Sequence, residues 1–160
     1  MKKRSLSPLI AATCALASSV FSAAAIDKPE AKTWREISSG TQSNIEEATQ
    51  QVIQTNEQWG KWWSKHTNSL NKHENAEAQK PPKVDFAKET VLVVTLGMRS
   101  TGGHAIRFSQ IVREGESLKA IITTTSPGPD SMVTMALTYP FAVIAIPKHE
   151  GPIEFVAAQQ

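Results

Sequence analysis

Thr90-Val91-Leu92-Val93-Val94-Thr95-Leu96 is a nearly continuous run of apolar and β-branched residues, the pattern of a strand buried on both faces. Such a strand belongs in the middle of a sheet, so its neighbours are sought on either side of it. Downstream, Ala105 to Arg113 and Leu118 to Thr125 alternate or are β-branched, and Glu114-Gly115-Glu116 between them has hairpin chemistry. They are expected to pair antiparallel. Ala142 to Ile146 forms another apolar strand, and Ile153 to Val156 a short last one after the turn at His149-Glu150-Gly151.

Upstream, Thr33 to Ile37 reads as a first short strand and Ser38-Ser39-Gly40-Thr41 as a turn. The next stretch supports two readings. Ile45, Ala48 and Val52 fit a helical stripe, whereas Thr55 with Gln58 three residues on is a capping-box pattern that starts a helix at Asn56. The second reading leaves Gln51 to Gln54 as a strand and is preferred. From Asn56 to about His66, the spacing of Trp59, Trp62, Trp63 and His66 gathers their side chains on one helix face. Three indoles on one face serve either as a sugar-stacking platform or as an anchor to a sheet, each burying roughly 200 Å². The anchor is preferred, with His66 as a helix-end residue whose partial charge suits the C-terminal dipole. The expected architecture is α+β, a mostly antiparallel β-sheet packed against one main amphipathic helix.

The chain begins with Lys2, Lys3 and Arg4, an apolar run from Leu9 to Phe21, and Ala23-Ala24-Ala25. These are the three parts of a cleavable signal peptide over residues 1–25. The run is short, rich in Ala and Ser and preceded by Pro8, unlike a membrane span of about 20 strongly apolar residues. Cys14 lies inside the run, without the leucine that precedes a lipid-modified cysteine. Residues 26–32, polar and holding Pro29, form a flexible entry to a domain over 33–158. Within it, residues 67–83 form an exposed polar loop containing Asn68, Asn71 and Asn75 and ending in Pro81-Pro82.

Removing the leader takes three basic residues and no acidic one, leaving 14 Lys and Arg against 15 Asp and Glu, a net charge of −1 in place of +2. A near-neutral domain lacks the clustered cations with which nucleic-acid binders hold phosphate. Cys14 is the only cysteine, so the exported chain has no disulfide and no thiolate metal site. His73-Glu74 begins like a zinc-protease signature, but the position for the second histidine holds Glu77. No metal and no cofactor are expected, and no stable membrane insertion follows signal removal.

Gly97-Met98-Arg99-Ser100-Thr101-Gly102-Gly103-His104 joins the central strand to the next one. Gly97 and Gly102 have the spacing of a phosphate-cradling loop, but Gly103 stands where that loop needs lysine, and a strand pattern follows where it needs a helix. Two readings remain. One is a wide hairpin turn whose glycines supply left-handed backbone angles; the other is a recognition loop on a rigid sheet. For catalysis, Ser100, Ser109 and Ser126 are candidate nucleophiles and His66, His73, His104 and His149 candidate bases. None sits in a strand-to-helix elbow, and Asp85, Asp130 and the glutamates show no acid–base spacing. No catalytic residue is assigned.

Several landmarks in order resemble one family. They are Gly40-Thr41-Gln42-Ser43-Asn44-Ile45, Val52-Ile53 before Trp59 and Trp62, Val84-Asp85-Phe86, Gly97 through Thr101-Gly102-Gly103, and Leu137-Thr138-Tyr139-Pro140. The family is the C-terminal domain of PrcB, named for a subunit of a bacterial surface protease complex. The sequence departs from it at His104, where tyrosine is common, and at Asn44, where glycine is common. The resemblance implies an extracytoplasmic accessory role beside a protease, without cleavage by this chain.

The leading expectation is therefore an exported, non-catalytic binding domain that recognises or stabilises an envelope protein such as a protease. Its expected contact residues are Arg99, Ser100, Thr101, Gly102, Gly103, His104, Tyr139 and Pro140. A second reading is a protease inhibitor, on a looser likeness to chagasin-type inhibitors, inserting Thr101-Gly102 with the Ser126 to Ser131 loop beside it. A third is a small-ligand or glycan binder built on the tryptophans.

Overall fold

The computed structural model describes residues 34–67 and 80–158. The expected signal peptide, the entry segment, Cys14 and most of the polar loop, with His73, Glu74 and Glu77, lie outside the described residues. Eight elements follow in order: β1 (Arg35–Gly40), β2 (Ala48–Ile53), α1 (Asn56–Thr67), β3 (Glu89–Leu96), β4 (Ala105–Glu114), β5 (Ser117–Thr125), β6 (Phe141–Pro147) and β7 (Ile153–Ala157). They form two sheets, a four-stranded one in the order β1-β6-β3-β2 and a three-stranded one in the order β4-β5-β7. The α+β expectation holds, with two sheets in place of one.

β3 is central, paired antiparallel with β2 and β6. Its alternation separates two cores. Val91 and Val93 face α1, where they pack with Ile53, Trp59, Trp62, Trp63 and Phe141. Leu92 and Val94, with Ile144 of the neighbouring β6, face the second sheet, where they meet Ile106, Phe108, Leu118 and Ile122. All four β3 side chains are fully buried, which is why the sequence shows no polar interruption here. The molecule is thus three layers deep, helix on sheet on sheet.

The hairpin forms as expected. Glu114 pairs with Ser117 across a two-residue loop, and Gly115 takes a φ of 62°, the first-position glycine of a type II′ turn. β7 then pairs with β5 in parallel, so one ladder departs from the antiparallel rule. Thr55 Oγ1 accepts the Gln58 N–H at 3.2 Å, while Gln58 Oε1 accepts the Gln54 N–H at 3.1 Å. The Thr55 N-cap fixes the start of α1, with the Gln58 side chain reaching back to Gln54 in place of the Thr55 N–H of a strict capping box, and β2 precedes it as the preferred reading required. The strand begins earlier than expected, at Ala48, so the helical stripe through Ile45, Ala48 and Val52 does not exist.

Two local expectations are corrected. Ser38-Ser39-Gly40 is strand, since β1 continues past a bulge between Glu36 and Ser38 and pairs through Gly40 with Phe141. Small polar residues satisfy this edge strand because most of its side chains face solvent. His66 is not a charged helix-end residue. It is buried, stacked on Trp62 at 4.9 Å and set against Phe141 at 4.4 Å, and burial pushes its pKa down to about 4. It is neutral at pH 7 and adds no charge to the helix dipole. Its Nδ1 lies 2.8 Å from Ser43 Oγ.

Candidate functional site

Three connections meet at one end of the sandwich: residues 41–47, 97–104 and 126–140. Gly97 ends β3 with a φ of 72°, and a Cβ there would stand 2.7 Å from Glu46 O and 2.8 Å from Ala48 N. Only glycine lets the chain turn so close to the 41–47 segment. Met98 then donates its N–H to Glu46 O at 2.9 Å. Because β3 and β4 belong to different sheets, residues 97–104 are a crossover between sheets, and the hairpin-turn reading is set aside.

The crossover is held by the 126–140 segment. Arg99 and Thr138 exchange backbone hydrogen bonds at 2.8 and 2.9 Å, Gly102 N–H reaches Thr134 O at 2.9 Å, and Tyr139 N–H reaches Thr41 O at 2.8 Å. The Thr138 hydroxyl donates to Thr101 O at 2.9 Å. His104 bridges the two loops through its ring, with Nε2 3.3 Å from Thr101 Oγ1 and Nδ1 3.3 Å from Ser126 Oγ. Gly103, with a φ of 84°, lies against Pro127. These bonds satisfy backbone groups that would otherwise be stranded as the loops leave their sheets.

The expected contact residues therefore come together but divide into two kinds. Ser100 and Gly103 are exposed, and Arg99, Thr101, His104 and Tyr139 are half-buried. Gly102 is buried and has no positive φ; a Cβ on it would collide with Thr134 Oγ1. Pro140 is fully buried and is corrected from contact residue to core, because its carbonyl accepts from Leu96 N–H at the β3–β6 ladder end. The Arg99 guanidinium makes a single long bond, 3.4 Å to Met98 O, among the described residues.

The same end carries every large hydrophobic side chain exposed among the described residues. Met132 is fully exposed, Met135 is 88 % exposed, Leu137 56 % and Met98 50 %. Sequence reading did not single out these side chains. Met135 and Leu137 have the two-residue spacing of one strand face, but Met132 does not share it and Val133 and Ala136 lie between, so no single periodicity marks the group.

Chemically, the cluster offers an imidazole between two hydroxyls. Ser126 is the sole candidate nucleophile of the three that meets a candidate histidine here, and no carboxylate orients the His104 ring among the described residues. Those residues also hold no group of three or more His, Cys, Asp or Glu suited to a metal ion. The alternative platform is closed, since Trp59, Trp62 and Trp63 are buried and pack on one another at 5.2 to 6.3 Å. The Trp59 indole N–H is spent on Pro82 O at 2.9 Å.

With this geometry in place, the comparison with known families is informative. Residues 90–147 match the PrcB C-terminal family model. The match runs from β3 to the end of β6 and so contains two of the three connections, 97–104 and 126–140, while β1, β2, α1 and β7 fall outside it. Of the sequence landmarks, Gly97 to Gly103 and Leu137 to Pro140 lie within the matched span. No curated protein and no solved structure matches the chain. No helix among the described residues is long and apolar enough to cross a membrane.

Proposed function

We propose that the protein is an exported, non-catalytic accessory domain that binds an envelope protein, such as a protease, through the 97–104 and 126–138 loops. The observation that carries this reading is the apolar patch of Met98, Met132, Met135 and Leu137 with Arg99 at its margin. Flexible thioethers on hydrogen-bonded loops suit a protein surface better than a small ligand, because methionine adapts to irregular apolar partners. A few centrally placed side chains carry most of the energy of an interface, and methionine is enriched there relative to the rest of a protein surface. The family match supports a partner in a protease complex.

The test is capture from an envelope extract, followed by identification of the captured protein. Wild type should retain a protease or a protein associated with one, and Met132→Ser with Met135→Ser should lose it. Equal capture by both would remove the patch from the binding surface. The inhibitor reading has one observation in its favour: the Thr101-Gly102 and Ser126 to Ser131 segments lie side by side. It predicts that the protein slows a papain-like cysteine protease, and Thr101→Ala should relieve that inhibition. Full protease activity at saturating protein would exclude it.

A further inference from the structure

Among the described residues the two sheets have four edge strands, and three are guarded. β1 and β4 carry bulges and charged residues, and β7 is short with Glu154 near its centre. β2, Ala-Thr-Gln-Gln-Val-Ile, has no charge, no proline and an unbroken register over its six residues. Edges left flat and uncharged invite strand addition, which is why folded proteins ordinarily blunt them.

The direction of the free backbone groups follows from the ladder. Leu96 N–H donates to Pro140 O, and Lys148 N–H donates to Lys88 O, so the even-numbered residues of β3 bond toward β6. The odd-numbered ones bond toward β2, and by the alternation of antiparallel strands Gln50 and Val52 aim their N–H and C=O groups outward.

A concavity flanks β2 on each face. Toward the second sheet, Gln50, Leu96, Ile106, Ile122, Thr124 and Ala157 line a cavity of about 450 Å³ that has no charged lining residue. Toward α1, Gln51, Ile53, Gln58, Lys61, Trp62 and Lys65 line another of about 450 Å³. Lys61 is shared with Glu57 at 2.6 Å, whereas Lys65 forms no ion pair among the described residues.

We propose that the edge of β2, unpaired among the described residues, binds an extended segment of a partner polypeptide as an added strand, seating an apolar side chain between the two sheets and an acidic one beside Lys65. Successive side chains of a strand point to opposite faces, so one extended segment reaches both concavities. Its backbone meets Gln50 and Val52, and its side chains supply the selectivity. A second copy of this chain fits less well, because antiparallel pairing of two β2 edges places both α1 helices on one face and opposes their lysines. The site is independent of the loop cluster and stands whether or not that cluster binds a protein.

The experiment titrates the protein with a capped peptide of about eight alternating valine and glutamate residues, following backbone amide shifts and binding heat. The expected result is shifts centred on Gln50 and Val52, with a second capped peptide of alternating valine and lysine binding at least roughly tenfold more weakly. Gln50→Pro removes one outward N–H and leaves the β2–β3 ladder intact; it should melt as wild type does and lose the peptide. Lys65→Glu should reverse the preference between the two peptides. Met132→Ser with Met135→Ser should leave peptide binding unchanged, which separates this site from the loop surface. Absence of binding at millimolar peptide, shifts confined to the loops, undiminished binding by Gln50→Pro, or β2 protected by dimerisation would each overturn the proposal.

Discussion

The α1 face and the loop cluster carry comparable apolar mass and treat it in opposite ways. Trp59, Trp62 and Trp63 project from consecutive helix turns onto a complete sheet and are buried; Met98, Met132, Met135 and Leu137 project from segments with no partner strand and remain in water. Burial is thus decided by what faces a side chain. A hydrophobic stripe with helical period is covered when a sheet is ready to receive it. Loop methionines fixed by backbone hydrogen bonds stay available to a second protein.

The largest expected effect tests the buried side. Trp62→Ala should destabilise the fold by about 3 to 5 kcal/mol, read from urea unfolding, as truncation of a buried large aromatic does. An unchanged midpoint would return this indole to the surface and erase the contrast.

His66 sharpens the contrast, because it is the ionisable member of the buried face. Its folded pKa of about 4 lies below the usual value, so between about pH 6.5 and 4 the unfolded chain takes up a proton that the folded chain refuses. Stability should fall as pH drops through that window, by on the order of 3 kcal/mol, and be retained above it. His66→Phe should flatten this slope. A stability profile with the same slope in both proteins would move the effect to other groups.

At the boundary between the two regions, Gly97→Ala places a Cβ against Glu46 O in a left-handed backbone. A loss of about 1 to 3 kcal/mol is expected, and calorimetric melting measures it. The smallest effect belongs to the loops. Arg99→Ala with Thr101→Ala should stay within about 0.5 kcal/mol of wild type while weakening capture of the partner. A large drop in melting temperature would make these side chains structural.

The parts of the fold that were legible in the sequence carry their burial in a short window. Residues 90–96 announce a two-faced strand, Gly115 a tight hairpin, and Thr55 with Gln58 a helix start. The division into two sheets has no such local signature, because Ile106 and Phe108 alternate identically whether β4 joins β3 or packs over it. His66 was misjudged from its position at a helix end; the residues that enclose it include Ser43, 23 positions away, and Phe141, far later in the chain. In the candidate site, Gly97 and Gly103 pointed correctly to unusual backbone, and the loop residues around them do converge with Tyr139. Pro140 and Gly102 were indistinguishable from contact residues until the β3–β6 ladder end and Thr134 were placed beside them. The methionine patch was hidden because exposure depends on the absence of a neighbour, which no local pattern encodes.

The placement of β6 sets the order in which the molecule can assemble. This strand lies between β1 and β3, so β1 has no ladder until residues 141–147, about a hundred positions later, are available. Until then Val91 to Val94 have no complete apolar environment on either side, and a run of that composition is prone to self-association. Such long-range pairing belongs to topologies that fold in milliseconds to seconds, a time measurable by stopped-flow refolding; completion within microseconds would contradict it. The four-stranded sheet therefore closes only once β6 is in place, and β1 is the strand that waits longest for its partner.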